Sequence, residues 1–457
     1  MSLIQITDNS RSKVPDSDKA SLLKIADIKI GELSLYDNPN LLVFPRDLHR
    51  YGDEIGENCI ISMRDDEIST GNIMGFVGVN DTQLDIKSRF AKEDEEDYFL
   101  HYMLQKVFSI NLFDIKHTTR QEDIFDFLLY LFPHFLKKAL SQGLFKKYRR
   151  FEYNDDNIRG PIDVNRHIRE NIPFRGAVAY STREHSYDNE VTQLVRHTIE
   201  YIRTKEHGGI ILNNDPETKA CITQITLATQ SYNVRERMKV INQNLRPIRH
   251  PYFSAYTDLQ NLCLRILRHE SIKYGQEKDK VYGVLFDGAW LWEEYLNTIF
   301  EEYRLSITHA KNKTGEKGIA LYKGGKRCYY PDFYKQTEAA ETSFVLDAKY
   351  KRLGNNAPTD DFENNISICR DDLFQMITYM HVLPAKHCAL LYPIERNENN
   401  TNGKAVVESK KREINGCGGE ILGFGIPIPI IDDFKKCTQM RTIEIDLVSK
   451  ISNWMNN

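Results

Sequence analysis

The sequence predicts a multi-domain α+β protein, with a small β-rich N-terminal domain, a mostly helical middle region and a C-terminal α/β domain. Three observations carry that expectation. The chain has 457 residues, too many for one compact core, so roughly two to four domains are expected. Short alternating apolar runs with glycine punctuation give way at about Phe90 to long helical stripes. From about Lys278 helices and strands alternate again, the texture of an α/β or α+β unit.

Taken in order, residues 1–22 are polar and charged and read as a flexible leader. Residues 23–95 form the β-rich domain. Its clearest segment is NIMGFVGVNDTQLDIKSRF, where two alternating runs flank a turn at Asn80-Asp81. Residues 96–277 form the helical middle. The acidic run Ala91–Asp97 precedes it, where the dipole of a helix start favours negative charge. The segments YFLHYMLQKVF, IFDFLLYLFPHFLKKAL, NEVTQLVRHTIEYIRTK, the stretch after Pro216, and AYTDLQNLCLRILRHESIKYG all carry helical stripes. Pro133 should kink or divide the second, and Gly208-Gly209 should break the series. Residues 278–457 then supply the helix AWLWEEYLNTIFEEYRL, a hairpin through RCYYPDFYK and SFVLDAKY, the helix DDLFQMITYMHVL, and the strands HCALLYPI and ILGFGIPIPI.

Composition narrows the class. The net charge of −4 gives no global basic signature, so nucleic-acid binding would need a local basic groove. The eight cysteines are scattered without a CxxC pair, which points to a reducing compartment and away from structural zinc. The N-terminus lacks the charged and apolar regions of a secretory signal. No apolar run approaches the roughly 18 residues of a membrane span, so a cytoplasmic protein away from membranes is expected.

The chemistry concentrates in residues 329–352. Side chains alternate across a strand, so in SFVLDAKY Asp347 and Lys349 share one face, about 7 Å apart along the strand. A hairpin brings Asp332 of the Pro331-Asp332 pair beside Asp347. Two facing carboxylates repel unless a cation lies between them, and Mg²⁺ prefers such hard oxygen donors, with the Ala348 carbonyl as a further ligand. A metal there would acidify a water and neutralise charge on a phosphate, and Lys349 would orient that water or stabilise the transition state. The plain alternative is a surface hairpin with an ordinary Asp–Lys pair. Two helices weigh against it. On DDLFQMITYM, Asp372, Gln375 and Tyr379 share one face. On WLWEEYL, Trp292, Leu296, Ile299 and Tyr303 form a core stripe with Glu293 at its edge, where an acid is costly unless paired or metal-bound. Glu294, further toward solvent, competes for the same role.

Together these residues resemble the PD-(D/E)xK nuclease superfamily: Pro331-Asp332 matches its first acid and Asp347-Ala348-Lys349 its (D/E)xK. The downstream Gln375-xxx-Tyr379, with GFVGVNDTQLDIKSRF, IRGPIDVNRHI and REHSYDNE earlier, is similar to the McrC family, the nuclease subunit of McrBC-type and LlaJI-type restriction systems. The resemblance implies a restriction-endonuclease-like C-terminal fold and Mg²⁺-dependent cleavage of double-stranded DNA, with Mn²⁺ as a substitute. Asp332, Asp347, Lys349 and Glu293 would be catalytic. Asp332, Asp347, Ala348 and Glu293 would hold metal, and Gln375 and Tyr379 would be accessory. It also implies a McrB-like AAA+ GTPase ring, bound through the N-terminal half and stimulated by it. The chain has no GxxxxGK[ST] phosphate loop of its own. Two alternatives remain, a non-catalytic adaptor of a AAA+ ring and a stand-alone RecB-like repair nuclease. The basic clusters KKYRR and RERMK read as solvated helix ends, and YSTREHSYDNE as an interdomain network.

Overall fold

The computed structural model describes residues 2–33, 38, 41–45, 55–80, 82–91, 97–108, 121–205, 208–213, 215–272, 281–310, 318–322, 327–335, 343–352, 369–395, 406–409, 411–416, 418–429 and 438–456. They divide into two compact units, Met1–Thr119 with Glu277–Asn457, and Arg120–Gln276.

The N-terminal segment is not a loose leader. Ser2–Thr7 (β1) turns Ile4 and Ile6 into the core, and Arg11–Lys13 (β2) and helix Asp16–Leu22 (α1) follow. Period-two alternation of Ile4 and Ile6 is what a half-buried strand requires, and it was masked by the polar residues around them. Next come Leu41–Phe44 (β3), Ile61–Arg64 (β4), Glu67–Thr70 (β5), Ile73–Val79 (β6) and Thr82–Lys87 (β7). Strands β2, β5 and β4 form a small antiparallel sheet. The β6–β7 hairpin turns at Asn80, whose φ of 52° is the left-handed geometry that asparagine tolerates; Asp81 lies outside the described residues. Strand β1 pairs in parallel with β7. Helix Tyr98–Phe108 (α2) starts at Asp97, whose carboxylate accepts from Leu100 N at 3.0 Å and from Ser88 N. The rest of the acidic run, 92–96, lies outside the described residues.

The second unit is helical with one long hairpin. Helix Gln121–Leu140 (α3) passes Pro133 without dividing. Lys147–Asp155 (β8) and Val178–Ser186 (β9) pair antiparallel around helix Val164–Glu170 (α4). KKYRR therefore opens a strand rather than ending a helix. The cause is cross-strand aromatic packing: Tyr153 faces Tyr180 in register, rings stacked at 5.4 Å. Helix Glu190–Arg203 (α5) carries an Asn189–Thr192 capping box. Gly208–Asn213 (α6), Pro216–Ala228 (α7, capped by Asp215), Arg237–Gln243 (α8) and Ala255–Ile272 (α9) follow. The polar run YSTREHSYDNE works inside this unit rather than between domains: Asp188 accepts from Gln193 Nε2 at 2.6 Å and Ser231 N at 2.9 Å. RERMK occupies a short 3₁₀ turn and the start of α8.

The chain then returns to the first sheet. Val281–Asp287 (β10) lies between β6, antiparallel, and β3, parallel, giving the order β1-β7-β6-β10-β3. The expected boundary at 278 therefore assigned to the C-terminal domain a strand whose partners are N-terminal. Two glycines permit the crossing. A Cβ on Gly283 would lie 2.2 Å from Phe76 O, and one on Gly75 would lie 2.2 Å from Val284 O. Asp287 ends β10 and caps helix Gly288–Glu302 (α10), accepting from Ala289 N at 2.9 Å and Trp290 N at 3.2 Å.

Beyond α10 lie Thr308–His309 (β11), Ile319–Ala320 (β12), Cys328–Tyr329 (β13), Phe333–Lys335 (β14) and Ser343–Ala348 (β15), then helix Arg370–Val382 (α11). Ala385–Glu395 (β16), Val407–Glu408 (β17), Arg412–Glu413 (β18), Glu420–Ile428 (β19) and helix Thr438–Asn456 (α12) complete the unit. The second sheet runs β11-β14-β15-β16-β19-β17, with β18 also on β19. RCYYPDFYK is not one strand: it breaks at Pro331-Asp332, where proline cannot donate to a ladder. The sheet core gathers Val345, Met376, Met380, Cys388, Leu390 and Ile421. Cys59, Cys221, Cys263, Cys328, Cys369 and Cys388 are free thiols. Among the described residues no helix is long and apolar enough to cross a membrane.

Candidate active site

Strand register builds the site. Strands β14 and β15 are antiparallel with Phe333 opposite Leu346 and Tyr334 opposite Val345. One further step in that register sets Asp332 opposite Asp347. Asp332 Oδ2 accepts a hydrogen bond from Ala348 N at 2.7 Å, which fixes its carboxylate beside the end of β15. Strand β15 is parallel to β16, and Lys349 N donates to Leu391 O at 2.8 Å, so the ladder continues past Ala348 and holds Lys349 in extended geometry.

The alternation expected for Asp347 and Lys349 is present: Lys349 Nζ lies 2.5 Å from Asp347 Oδ2. Asp347 is fully buried, and neither of its oxygens accepts a well-directed hydrogen bond; the contact with Lys349 is an ion pair of poor hydrogen-bond geometry. Lys349 Nζ donates to Gln375 Oε1 at 2.8 Å, and Gln375 Nε2 donates to Tyr379 OH at 2.8 Å. Tyr379 OH reaches Tyr330 O at 3.4 Å, back beside Pro331. One turn earlier on α11, Asp372 Oδ1 lies 3.6 Å from Lys349 Nζ and 2.9 Å from Lys351 Nζ. On α11, Asp372 and Tyr379 are buried together with Met376 and Met380, while Phe374 is exposed.

Electrostatics follow from burial. Asp332 is pushed well above the ordinary carboxylate range, first by burial and then by the charges of Asp347 and Glu293; Lys349 and the Ala348 N–H oppose this. Burial also raises Asp347, against the pull of Lys349. Burial alone would lower Lys349, but Asp347 and Asp332 together raise it, so its ammonium form is favoured.

Glu293 on α10 bears on Asp332, and its Oε1 lies 2.7 Å from His309 Nε2. The sequence left Glu293 and Glu294 in competition; of the two, it is the charge of Glu293 that bears on Asp332. His309, on the short edge strand β11, was not anticipated. It lies 16 residues from Glu293 with no motif linking them, so only tertiary structure reveals the pair.

The donor set suits a hard divalent cation in part. Asp332 and Asp347 oppose each other, Asp347 has buried oxygens without directed donors, and the Ala348 carbonyl belongs to the same strand end. Among the described residues no group of three or more His, Cys, Asp or Glu side chains is assembled to hold a metal. Glu293 is engaged with His309. Mg²⁺ characteristically uses one or two carboxylates and keeps several waters, so the two aspartates fit it without a complete cage.

A family described as McrBC 5-methylcytosine restriction system component matches residues 68–393. Among solved structures, a chain from the refined half-complex of a tetradecameric assembly of Thermococcus gammatolerans McrB AAA+ hexamers with bound McrC is similar. The TM-score is 0.51 at 15% identity, covering 98% of this chain and 100% of that one. At that identity the likeness concerns the fold, a mixed α/β multi-domain arrangement. A chain from the cryo-EM structure of the Thermococcus gammatolerans McrBC complex matches with a TM-score of 0.34 at 13% identity, over 67% of this chain and 90% of that one. No curated protein matches.

Proposed function

The chain belongs to the family of McrBC 5-methylcytosine restriction system components, since that family spans well over half of its length, and we propose that it is the DNA-cleaving, McrC-like subunit. The observation that supports this reading is the meeting of Asp332, Asp347, Lys349 and Gln375 at the end of one strand pair. The C-terminal sheet with α10 and α11 is then a PD-(D/E)xK nuclease core, working in the cytoplasm.

Asp332 and Asp347, with the Ala348 carbonyl and Glu293, are the residues that would hold Mg²⁺. When bound, the ion would neutralise phosphate charge and acidify the attacking water. Lys349 keeps its ammonium beside Asp347 and donates one N–H to Gln375. A further N–H meets the attacking water or a phosphate oxygen and stabilises charge as it develops. Tyr379 restrains Gln375, and Gln375 restrains Lys349, so the ammonium is oriented before DNA arrives. The chain would work with a McrB-like AAA+ ring, as the similar solved assembly contains McrB hexamers with bound McrC.

The test is cleavage of methylated duplex DNA by the chain with its ring partner and Mg²⁺. Lys349→Ala should cut at least about 100-fold more slowly, the usual cost of removing a transition-state stabiliser, while still binding the ring. Undiminished cutting by Lys349→Ala, or by the wild type in excess chelator, would overturn the assignment. Stimulation of the ring's hydrolysis by a wild type that never cuts would establish the adaptor reading. Cutting of DNA ends by the chain alone would establish the stand-alone nuclease.

A further inference from the structure

Tyr350 follows Lys349 directly, and its side chain is held largely by the N-terminal sheet. Its hydroxyl shares a hydrogen bond with Ser88 Oγ at 2.8 Å and reaches Met74 Sδ in β6 at 3.2 Å. Phe90 meets its ring edge-on, centroids 5.5 Å apart, and the Arg89 guanidinium lies over the ring at 4.9 Å. Arg89 Nη1 also donates to the Tyr350 carbonyl at 3.3 Å.

Arg89 is itself immobilised. Its Nε donates to Asp8 Oδ2 at 2.8 Å, its Nη2 to the same oxygen and to Asn72 Oδ1, and its backbone N–H to Asp8 Oδ1. Arg352 Nη2 closes the cluster by donating to the Arg89 carbonyl. Asp8, Ser88, Arg89 and Tyr350 are all buried. Breaking a buried ion pair is costly, yet its net gain in stability is small, so what such a cluster contributes most surely is fixed geometry. Its geometry is referenced to the residue beside Lys349. It also touches α10: a Cβ on Gly288 would lie 2.8 Å from Tyr350 Cε1, so the ring fits against the start of the helix that carries Glu293.

We propose that Arg89 and Tyr350 are positioning residues that set the Lys349 ammonium from the N-terminal sheet, making that sheet a working part of the cleavage site. The proposal rests on the nuclease reading above for its catalytic consequence, but not for its structural one. Lys349 is pinned at its tip by Asp347 and Gln375 and at its backbone by Leu391 and Tyr350. Loosening Tyr350 should therefore free the ammonium without unfolding the sheet.

The experiment is brief acetylation of the full-length, metal-free chain with acetic anhydride, read by peptide mass spectrometry at Lys349 and at the exposed Lys239. Arg89→Lys keeps a cation for Asp8 but cannot span both Asp8 and the Tyr350 carbonyl. It should raise Lys349 acetylation about five-fold relative to Lys239, the opening expected when one hydrogen bond of ordinary strength is lost. Tyr350→Phe, which loses only the hydroxyl, is the milder second variant and should shift labelling in the same direction. In DNA cleavage with the ring partner and Mg²⁺, both should lower kcat and leave KM for DNA unchanged. Unchanged Lys349 labelling in variants that melt as cooperatively as wild type would overturn the proposal, as would an equal rise at Lys239. A selective rise at Lys349 in a protein whose wild type never cleaves DNA would sink the nuclease reading and leave the positioning role standing.

Discussion

Asp97 shows how burial converts one side chain into a pH response. It is buried at the start of α2, and burial pushes its carboxyl up from 3.8 to about 7, against the hydrogen bonds from the N–H groups of Ser88 and Leu100. The unfolded chain would release that proton near the ordinary carboxylate value. The folded state therefore binds the extra proton between about pH 4 and pH 7, and stability from this group is present at the acid end and lost as pH rises through about 7. Asp97→Asn keeps an acceptor oxygen for only one of the two N–H groups, a cost that does not vary with pH, and removes the titration. The variant should gain stability over wild type as pH rises from 5 to 8, by up to a few kcal/mol, measured by denaturant unfolding; a difference that is flat with pH would refute it. Residues of this kind differ in how far the sequence discloses them. Asp332, Asp347 and Lys349 were legible as neighbours because strand alternation and a hairpin are local rules, and Gln375 and Tyr379 because helical spacing is. His309 was not, because its contact with Glu293 depends on where an edge strand meets a helix.

At the scale of the element, β6 and β10 cross more closely than side chains permit. Gly75 and Gly283 adopt φ of 120° and 153°, and each faces the other strand's carbonyl. Gly283→Ala would force a methyl against Phe76 O and Val77 Cα, both backbone atoms that cannot swing aside. A loss of about 1–3 kcal/mol is expected from strain of this kind, seen as a lower thermal midpoint. Gly143→Ala, a glycine with φ of 91° but nothing within 4 Å, should cost less because only conformation is strained there. Equal losses at the two positions would show that the strand crossing is not what matters. The β6–β7 hairpin was readable because both strands and their turn lie within one short segment. That β10 joins them was not: its partners are some 200 residues away in the chain, and single-sequence patterns carry no information about such pairings. The pairing of β8 and β9 was hidden for a different reason, since basic residues obscured an aromatic cross-strand pair.

At the scale of the molecule, the chain leaves one compact unit at Thr119, builds a second, and re-enters the first at Glu277. The sequence suggested three domains in line, because composition changes along the chain and reveals nothing of return. The consequence concerns which pieces can stand alone. A fragment of residues 278–457 would retain β10 but lose both of its neighbours, β6 and β3. It would also lose Ser88, Arg89 and Met74, which hold Tyr350 beside Lys349. An apolar strand with two open edges is a template for aggregation, so this fragment should be insoluble or lack a cooperative melt. Replacing Arg120–Gln276 by a flexible glycine–serine linker removes no strand from either large sheet of the first unit. That variant should stay soluble and melt cooperatively by calorimetry. A 278–457 fragment that folds alone would mean that the N-terminal sheet and the C-terminal sheet are separable after all, whereas a linker variant that does not melt cooperatively would mean that the first unit depends on Arg120–Gln276. In the first case β10, which belongs to the N-terminal sheet and leads directly into α10, would be a tether with no part in holding that helix and its Glu293 in place.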